Sequence, residues 1–232
     1  PARGGSKSVP RKNLHPILGR PLIVWSILSA LRATSLDRLI VSTDDAEIAE
    51  VAKRYGAEVP FLRPGEIAAD ETPDLPVFQH ALRALREAEG YLPDVIVHLR
   101  PTQPLRTPEE IDRAVELSAN SGADCVKSVR LVGEHPFKMY RLEGDRLVPY
   151  LTTEERRRRG PDVPRQGLEP VYLSAGVVDV IRRETIEAGS TEGRTVVPFF
   201  TDPSRYVNLD APRDFEIAEA LIRSLGWEGV EA

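Results

Sequence analysis

The chain has 232 residues, with 31 Lys and Arg against 36 Asp and Glu, a formal charge of −5. Its hydrophobic fraction of 41% and charged fraction of 29% are ordinary for a globular protein and exclude wholesale disorder, a collagen or a coiled coil. No apolar run approaches the roughly 18 residues of a membrane-spanning helix, and the single cysteine, Cys125, excludes an internal disulfide or a multi-cysteine zinc site.

No signal-peptide pattern opens the sequence, so a cytoplasmic protein with no membrane partner is expected. The net acidity argues against a nucleic-acid partner and leaves local basic clusters as candidate anion sites. Residues 1–7 read as the loop that follows a strand, which implies a strand ahead of Pro1 and a few N-terminal residues missing from the sequence.

Further along, residues 38–42 read as a buried strand. Asp45 then caps a helix with Ile48, Val51, Ala52 and Tyr55 on one face, stopped by Gly56. A short strand over 58–61, a helix over 75–88 and a strand over 94–99 follow. Thr107-Pro108-Glu109-Glu110 is a capping box with Pro at the first helical position, opening a helix to about Ser121. Residues 123–129 form the next strand. Strands alternating with helices predict an α/β fold with a mostly parallel sheet covered on both faces.

The rhythm changes after Arg130. Residues 135–170 are rich in Pro, Arg and charge, with strand-like pieces over 136–142 and 146–151, and read as an insertion or small subdomain. Regular structure returns over 171–181 and 195–200. A last helix over 211–225 carries Phe215, Ala218, Ile222 and Leu225 at helical spacing and ends at Gly226.

The strongest local signal is residues 2–14, where Arg3, Lys7, Arg11 and Lys12 stand beside Gly4, Gly5, Ser6 and Ser8. Two glycines let backbone N–H groups approach an anion with no Cβ in the way, and the cations neutralise phosphate. It is neither a Walker A nor a dinucleotide fingerprint. On the residues alone, a polyphosphate cradle and a solvated basic loop stand as equal readings.

Several stations resemble the acylneuraminate cytidylyltransferase family, the enzymes that make CMP-sialic acid and related activated sugar acids. They are ARGGSKSVPRKN at 2–13, VSTD at 41–44, RPGEIAADET at 63–72, RPTQPLRT at 100–107, EHPFK at 134–138, PRQ at 164–166 and LDAPRDFEIAE at 209–219. The resemblance runs over essentially the whole chain. It implies a Rossmann-like nucleotide-diphospho-sugar transferase fold, one domain over 1–232 with an inserted dimerisation subdomain at about 133–170, and a homodimer. The activity it implies is transfer from CTP to a 2-keto sugar acid, with Mg²⁺ as cofactor.

Carried over residue by residue, the resemblance assigns Arg3, Lys7, Lys12 and Asp210 to catalysis. Nucleotide binding falls to Ala2, Arg3, Gly4, Ser6, Lys12, Asn13, Arg63 and Asp74. Sugar binding falls to Arg100, Lys138, Arg165 and Gln166, and the metal to Asp210 and Asn208. A triphosphate carries about four negative charges, so such a cluster of cations has a clear purpose.

Rival readings stand beside several of these. Arg63 could be a packing arginine, Asp45 a helix cap and the arginine run at 156–159 either a solvated segment or a cationic lid. Asp210 could cap the last helix. In a strand-like segment i and i+2 share a face, so Asn208 and Asp210 could instead hold one ion.

Four positions depart from the family pattern. Arg100 stands where Gln is common, Asn208 where Asp is usual, Ser174-Ala175-Gly176 where Asn-Gly is frequent and Asp74 where Ser is frequent. Asp74 could accept from a cytosine amine or from guanine donors, which keeps a GTP-dependent enzyme open as a rival. A catalytically silent homologue that binds a nucleotide sugar, and another sugar-phosphate nucleotidyltransferase, are further alternatives. His98 reads as core or crevice lining and Cys125 as inert packing.

Overall fold

The computed structural model describes residues 1–160 and 162–227. It divides into two compact units, one made of 1–128 and 176–232, the other of 129–175. Among the described residues no helix is long and apolar enough to cross a membrane.

The first unit opens with a tiny hairpin, β1 (Pro16–Ile17) and β2 (Arg20–Pro21), paired antiparallel. Its two-residue turn has Leu18 at φ 47° and Gly19 at φ 78°, the doubly left-handed geometry that suits a tight hairpin. Helix α1 (Leu22–Arg32) buries Leu22, Ile23, Val24, Trp25, Ile27 and Leu28. A helix apolar on nearly all sides gives no amphipathic period, so no sequence pattern marks it.

Helices α2 (Ala46–Arg54), α3 (Asp74–Glu89) and α4 (Pro108–Ser121) lie where expected. The Asp45 carboxylate accepts from the N–H groups of Glu47 and Ile48, and Thr107 and Glu110 close both halves of the capping box. Each satisfies donors that a helix start leaves without partners.

A four-stranded sheet has the order β3 (Val95–His98), β7 (Tyr172–Arg182), β4 (Cys125–Leu131), β8 (Val196–Phe200). The fold is α/β as expected, but the sheet is mixed rather than mostly parallel. Strand β7 pairs antiparallel with β3, Val95 opposite Arg182 and His98 opposite Asp179. It enters the sheet between β3 and β4 after the 129–175 excursion, and so runs back against β3. The expected strands at 38–42 and 58–61 reduce to one parallel bridge, Ile40 with Glu58. A short helix, α6 (Arg183–Glu187), follows β7. The last element among the described residues is α7 (Pro212–Ser224), which packs Phe215, Ala218 and Ile222 with Val9, Ile17, Trp25, Leu105 and Leu209.

The second unit contains the hairpin β5 (Tyr140–Glu143) and β6 (Arg146–Pro149) and the short helix α5 (Glu154–Arg159). The arginine run is therefore helical, with Arg157 paired to Glu154 and Arg159 to Glu155. Arg156 differs from its neighbours: it is buried, over the rings of Phe137 and Tyr140.

One carboxylate ties α4 to the segment after α1. Asp112 accepts from the N–H and hydroxyl groups of both Thr34 and Ser35. The Ser35 hydroxyl bond leads, and with the Thr34 and Ser35 N–H groups it brings the Asp112 carboxyl down to about 2 against the effect of burial. The folded value is depressed, so this contribution is complete above about pH 4 and is lost as pH falls toward 2. Urea midpoints measured across that window should drop less steeply in Asp112→Asn than in the parent.

Candidate active site

Leu209 is fully buried in the cluster beneath α7 and α1, and its backbone is held on both sides. Its N–H donates to the Thr102 carbonyl at 3.1 Å, and its own carbonyl accepts from Lys12 Nζ at 2.8 Å. The same ammonium reaches Asp210 Oδ1 at 3.2 Å. Lys12 sits at the start of a 3-10 turn, Lys12–Leu14, directly after Arg11 at φ 56°. Two sequence stations far apart, the basic loop and the Asn-Leu-Asp segment, therefore meet at one ammonium group.

Asp210 does not cap α7. The N-cap is Ala211, and Asp214 accepts from the N–H groups of both Asp210 and Ala211, at 2.9 and 2.7 Å. The exposed Asp210 carboxylate is thus not used up in a cap. Asn208 lies on the same face, its amide donating to Asp210 Oδ2 and its Oδ1 accepting from Gln103 Nε2 at 3.0 Å. Among the described residues no group of three or more His, Cys, Asp or Glu is placed to hold a metal. The exposed Asp210 carboxylate nonetheless fits a hard divalent ion that takes its remaining ligands from phosphate and water, whereas the Asn208 oxygen is turned to Gln103 and would join it only after the amide rotates.

The rest of the basic loop is braced by acidic groups. Arg3 and Lys7 converge on Asp70, Lys7 at 2.8 Å, and these partners hold the Asp70 carboxyl below its usual range. Arg11 pairs with Asp45 and Glu47, so Asp45 is both the cap of α2 and a partner of the loop. The Gly4 N–H donates to Asp44 Oδ1 at 3.0 Å. A Cβ on Gly4 would come within 2.5 Å of the Asp45 carboxylate, so the glycine is required by close approach. Asn13 Nδ2 donates to the Arg3 carbonyl at 2.9 Å, and the buried Ala2 donates its N–H to the Ser42 carbonyl. Ser6 is half-buried in the same loop.

Arg63 lies within the core of the first unit. It is 6% exposed, donates to the Ser42 carbonyl at 2.7 Å, and burial lowers its pKa. Arg100 is not a free cation either. Its guanidinium spans Asp74 and Asp179, each at 3.0 Å, and Asp179 is fixed from behind by the Ser128 N–H and hydroxyl. Gly176, at φ 67°, leaves room for it: a Cβ there would stand 3.1 Å from Arg100 Cδ. Two departures from the family pattern, at 74 and 100, thus form one contact set. His98 lies 3.9 Å from Asp74, but burial, then Arg100, lowers its pKa well below the ordinary value, so it is neutral near pH 7.

Arg106 is 2% exposed and donates to the carbonyls of Val177 and Arg100 and to the Ser26 hydroxyl. Desolvation lowers its pKa to about 9, and its three bonds lock the 100–107 loop to α1 and β7. The roles of Asp70, Gln103, Arg106, Asp179 and Asp214 were missed. All but Asp179 lie inside the quoted motifs; no local pattern marks the long-range partners of Asp70, Gln103 and Arg106, whereas Asp214, an acid three residues after the Ala211 cap, carries a local signal. Lys138 and Gln166 are exposed in the second unit, described by itself, and Arg165 lies there in a 3-10 turn; the Arg165 side chain lies outside the described residues.

Residues 1–145 match the sequence profile of the family described as cytidylyltransferase. The chain is 30% identical over 232 residues to the CMP-N,N'-diacetyllegionaminic acid synthase of Legionella pneumophila, covering 96% of this chain and 94% of that protein. It is 32% identical over 231 residues to N-acylneuraminate cytidylyltransferase A of Danio rerio, covering 98% of this chain and 51% of that longer protein. In fold it resembles the CMP:2-keto-3-deoxy-manno-octonic acid synthetase solved with CTP. The TM-score is 0.67 at 16% identity, with 97% of this chain and 96% of that chain covered.

Two measurements check this geometry. Asp70→Asn removes the carboxylate that competes for Arg3 and Lys7, so calorimetry should find pyrophosphate bound several-fold tighter than by the parent. Arg100→Gln leaves the buried Asp179 without its cation and should cost about 1–3 kcal/mol. Adding Asp74→Ser to it should change the loss by less than the two single effects summed, measured by urea unfolding.

Proposed function

The chain belongs to the cytidylyltransferase family, and on that premise we propose that it activates a 2-keto sugar acid of the nonulosonic class with CTP. The observation that carries this reading is the convergence of Lys12 and Asp210 beside a loop that also presents Arg3 and Lys7. The anomeric 2-hydroxyl attacks the α-phosphorus in line. A new O–P bond forms, the bond to the β-phosphate bridging oxygen breaks, pyrophosphate leaves and the hydroxyl proton is lost. The products are a CMP-sugar acid and pyrophosphate.

Catalysis on this reading is positioning and charge stabilisation. Lys12, held in place by the Leu209 carbonyl, faces the phosphates as a preset cation. Arg3 and Lys7 exchange the Asp70 carboxylate for phosphate oxygens, so bound triphosphate takes over their neutralisation. Gly4 lets the loop pack against Asp45, Ala2 and Asn13 hold it in shape through their bonds to Ser42 and Arg3, and Ser6 is proposed for the phosphates beside them. Mg²⁺ is part of the proposal: Asp210, with Asn208 assisting, would hold it, and it would supply further neutralisation of the phosphates. Lys138, Arg165 and Gln166 are proposed for the acceptor, as the relatives' pattern suggests.

Asp74 bears on the base. Its pairing with Arg100 makes it a neutralised partner rather than a lone acceptor for guanine, which favours CTP over GTP. Arg100, committed to two carboxylates, is withdrawn as the group that grips the sugar carboxylate. The names of the relatives favour legionaminic and sialic acids as acceptors. The presence of Arg3, Lys7, Lys12 and Asp210 together favours an enzyme over a silent homologue.

A homodimer belongs to the same proposal. On the 140–149 hairpin Leu142 and Leu147 are cross-strand partners, and both are about two-thirds exposed, an apolar pair of the kind that a second copy covers. A cytoplasmic setting, where nucleoside triphosphates are made, completes the reading.

The test is pyrophosphate release with CTP or GTP, Mg²⁺ and a panel of nonulosonic acids. Turnover with CTP and at least one sugar acid is expected, and Lys12→Ala should lower kcat/KM about 100-fold; no turnover on any pair contradicts the reading. Asn208→Asp should tighten magnesium activation, and an unchanged magnesium dependence removes Asn208 from the ligand set. Leu142→Glu should shift the sedimentation coefficient from dimer to monomer.

A further inference from the structure

Among the described residues, two that are not glycine have a positive φ, Leu18 and Arg11. Leu18 is accounted for by the tight turn between β1 and β2. Arg11, at φ 56° and ψ 34°, follows Pro10, and a left-handed residue after proline in a turn is usually glycine or asparagine. Arginine has no short polar group to bond its own backbone, so the left-handed conformation is imposed by its surroundings.

Two anchors and one clamp impose it. Val9 is buried in the cluster that also holds Leu209, while Leu14 packs against the cluster of Ala2, Val41 and Ile48. The chain therefore changes direction between the two clusters, and it does so at Arg11. The Arg11 carbonyl accepts from the N–H groups of Leu14 and His15, at 2.8 and 3.1 Å, which closes the turn that begins at Lys12.

The clamp is the Arg11 guanidinium. It forks onto both oxygens of Asp45, at 2.6 and 3.3 Å, and reaches Glu47 as well. Asp45 does not follow a moving loop, because it is fixed as the cap of α2, and α2 is rooted in the core by Ile48 and Ala52. On the far side of the turn the Lys12 side chain is only 11% exposed, with its Nζ on the Leu209 carbonyl. Moving Arg11 into the right-handed or extended region would redirect the chain beyond its Cα, and the Lys12 ammonium with it.

We infer that Arg11 is a positioning residue for Lys12. Its left-handed backbone aims the ammonium at the Leu209 carbonyl, and its clamp on the cap of α2 keeps that backbone from relaxing. Arg11 is one of the four cations of the loop, yet it serves the placement of its neighbour rather than the anion. The inference rests on the proposed function for what Lys12 does, but not for where Lys12 is held.

The test reads how fast acetic anhydride labels Lys12 in the full chain, by mass spectrometry, with the half-exposed Lys53 as internal standard. Arg11→Ala loses the clamp and keeps the steric cost of the left-handed backbone, so Lys12 labelling should rise about fivefold or more. Arg11→Gly also loses the clamp but takes that conformation freely, so labelling should stay within about twofold of the parent. Equal labelling in the two variants, slow or fast, overturns the inference. If Arg11→Ala fails to fold, Asp45→Asn keeps the cap and removes the ion pair; the same rise is expected, and an unchanged rate overturns the inference. Turnover is the second readout: kcat/KM for CTP should fall about tenfold in Arg11→Ala and recover in Arg11→Gly. An equal loss in both variants assigns the Arg11 charge to the phosphates and contradicts the positioning role. A parent that turns over no substrate contradicts the proposed function instead, and the labelling still decides how Lys12 is held.

Discussion

The site depends on one buried leucine. Leu209 has no exposed surface, and its backbone N–H and C=O are tied to Thr102 and to the Lys12 ammonium. Burying such a side chain contributes about 1.5–3 kcal/mol, which fixes the segment against the core shared with α1 and α7. Its neighbours Asn208 and Asp210 are thereby turned to the same outer face, and Lys12 is drawn in from the opposite end of the sequence. A lysine that donates to a buried backbone carbonyl has lost much of its freedom before any ligand arrives.

The same region is close to charge balance. Arg3 and Lys7 share Asp70, Arg11 has Asp45 and Glu47, Lys12 has Asp210, and Arg100 has Asp74 and Asp179. A bare cluster of cations would repel itself and loosen the loop; paired, it keeps a defined shape. On the proposed function, binding a polyphosphate exchanges one set of anions for another. The Arg100 pairs are the exception. With Asp179 braced by Ser128, they read as a permanent strut beneath the crevice rather than a set of groups awaiting substrate.

Local signals in the sequence were legible where the chemistry is local. The Thr107–Glu110 box and the Asp45 cap use side chains within three residues of the N–H groups they satisfy, and both were read correctly. Helix α1 carries no such signal because it is buried on nearly all sides, which erases the amphipathic period. Asp210 was weighed as a cap because it precedes Ala211-Pro212, but Asp214, one turn further on, takes that bond. Of the strut of Asp74, Arg100 and Asp179, the sequence shows the first two only as separate departures and does not mark the third, since its members are distant in sequence and meet only once β3, β7 and α3 are assembled. The mixed sheet was likewise out of reach, because the direction of β7 depends on how the chain returns from the 129–175 excursion.

The account rests on Lys12 and Asp210 serving one bound triphosphate. Mn²⁺ in place of Mg²⁺ tests this directly, because a paramagnetic ion broadens the amide resonances of residues close to it. With CTP present, the account predicts that substoichiometric Mn²⁺ broadens residues 3–12 and 208–210 in the same titration, and that Asp210→Ala removes the effect from both. Broadening of only one of the two segments, or of both undiminished in Asp210→Ala, would contradict it.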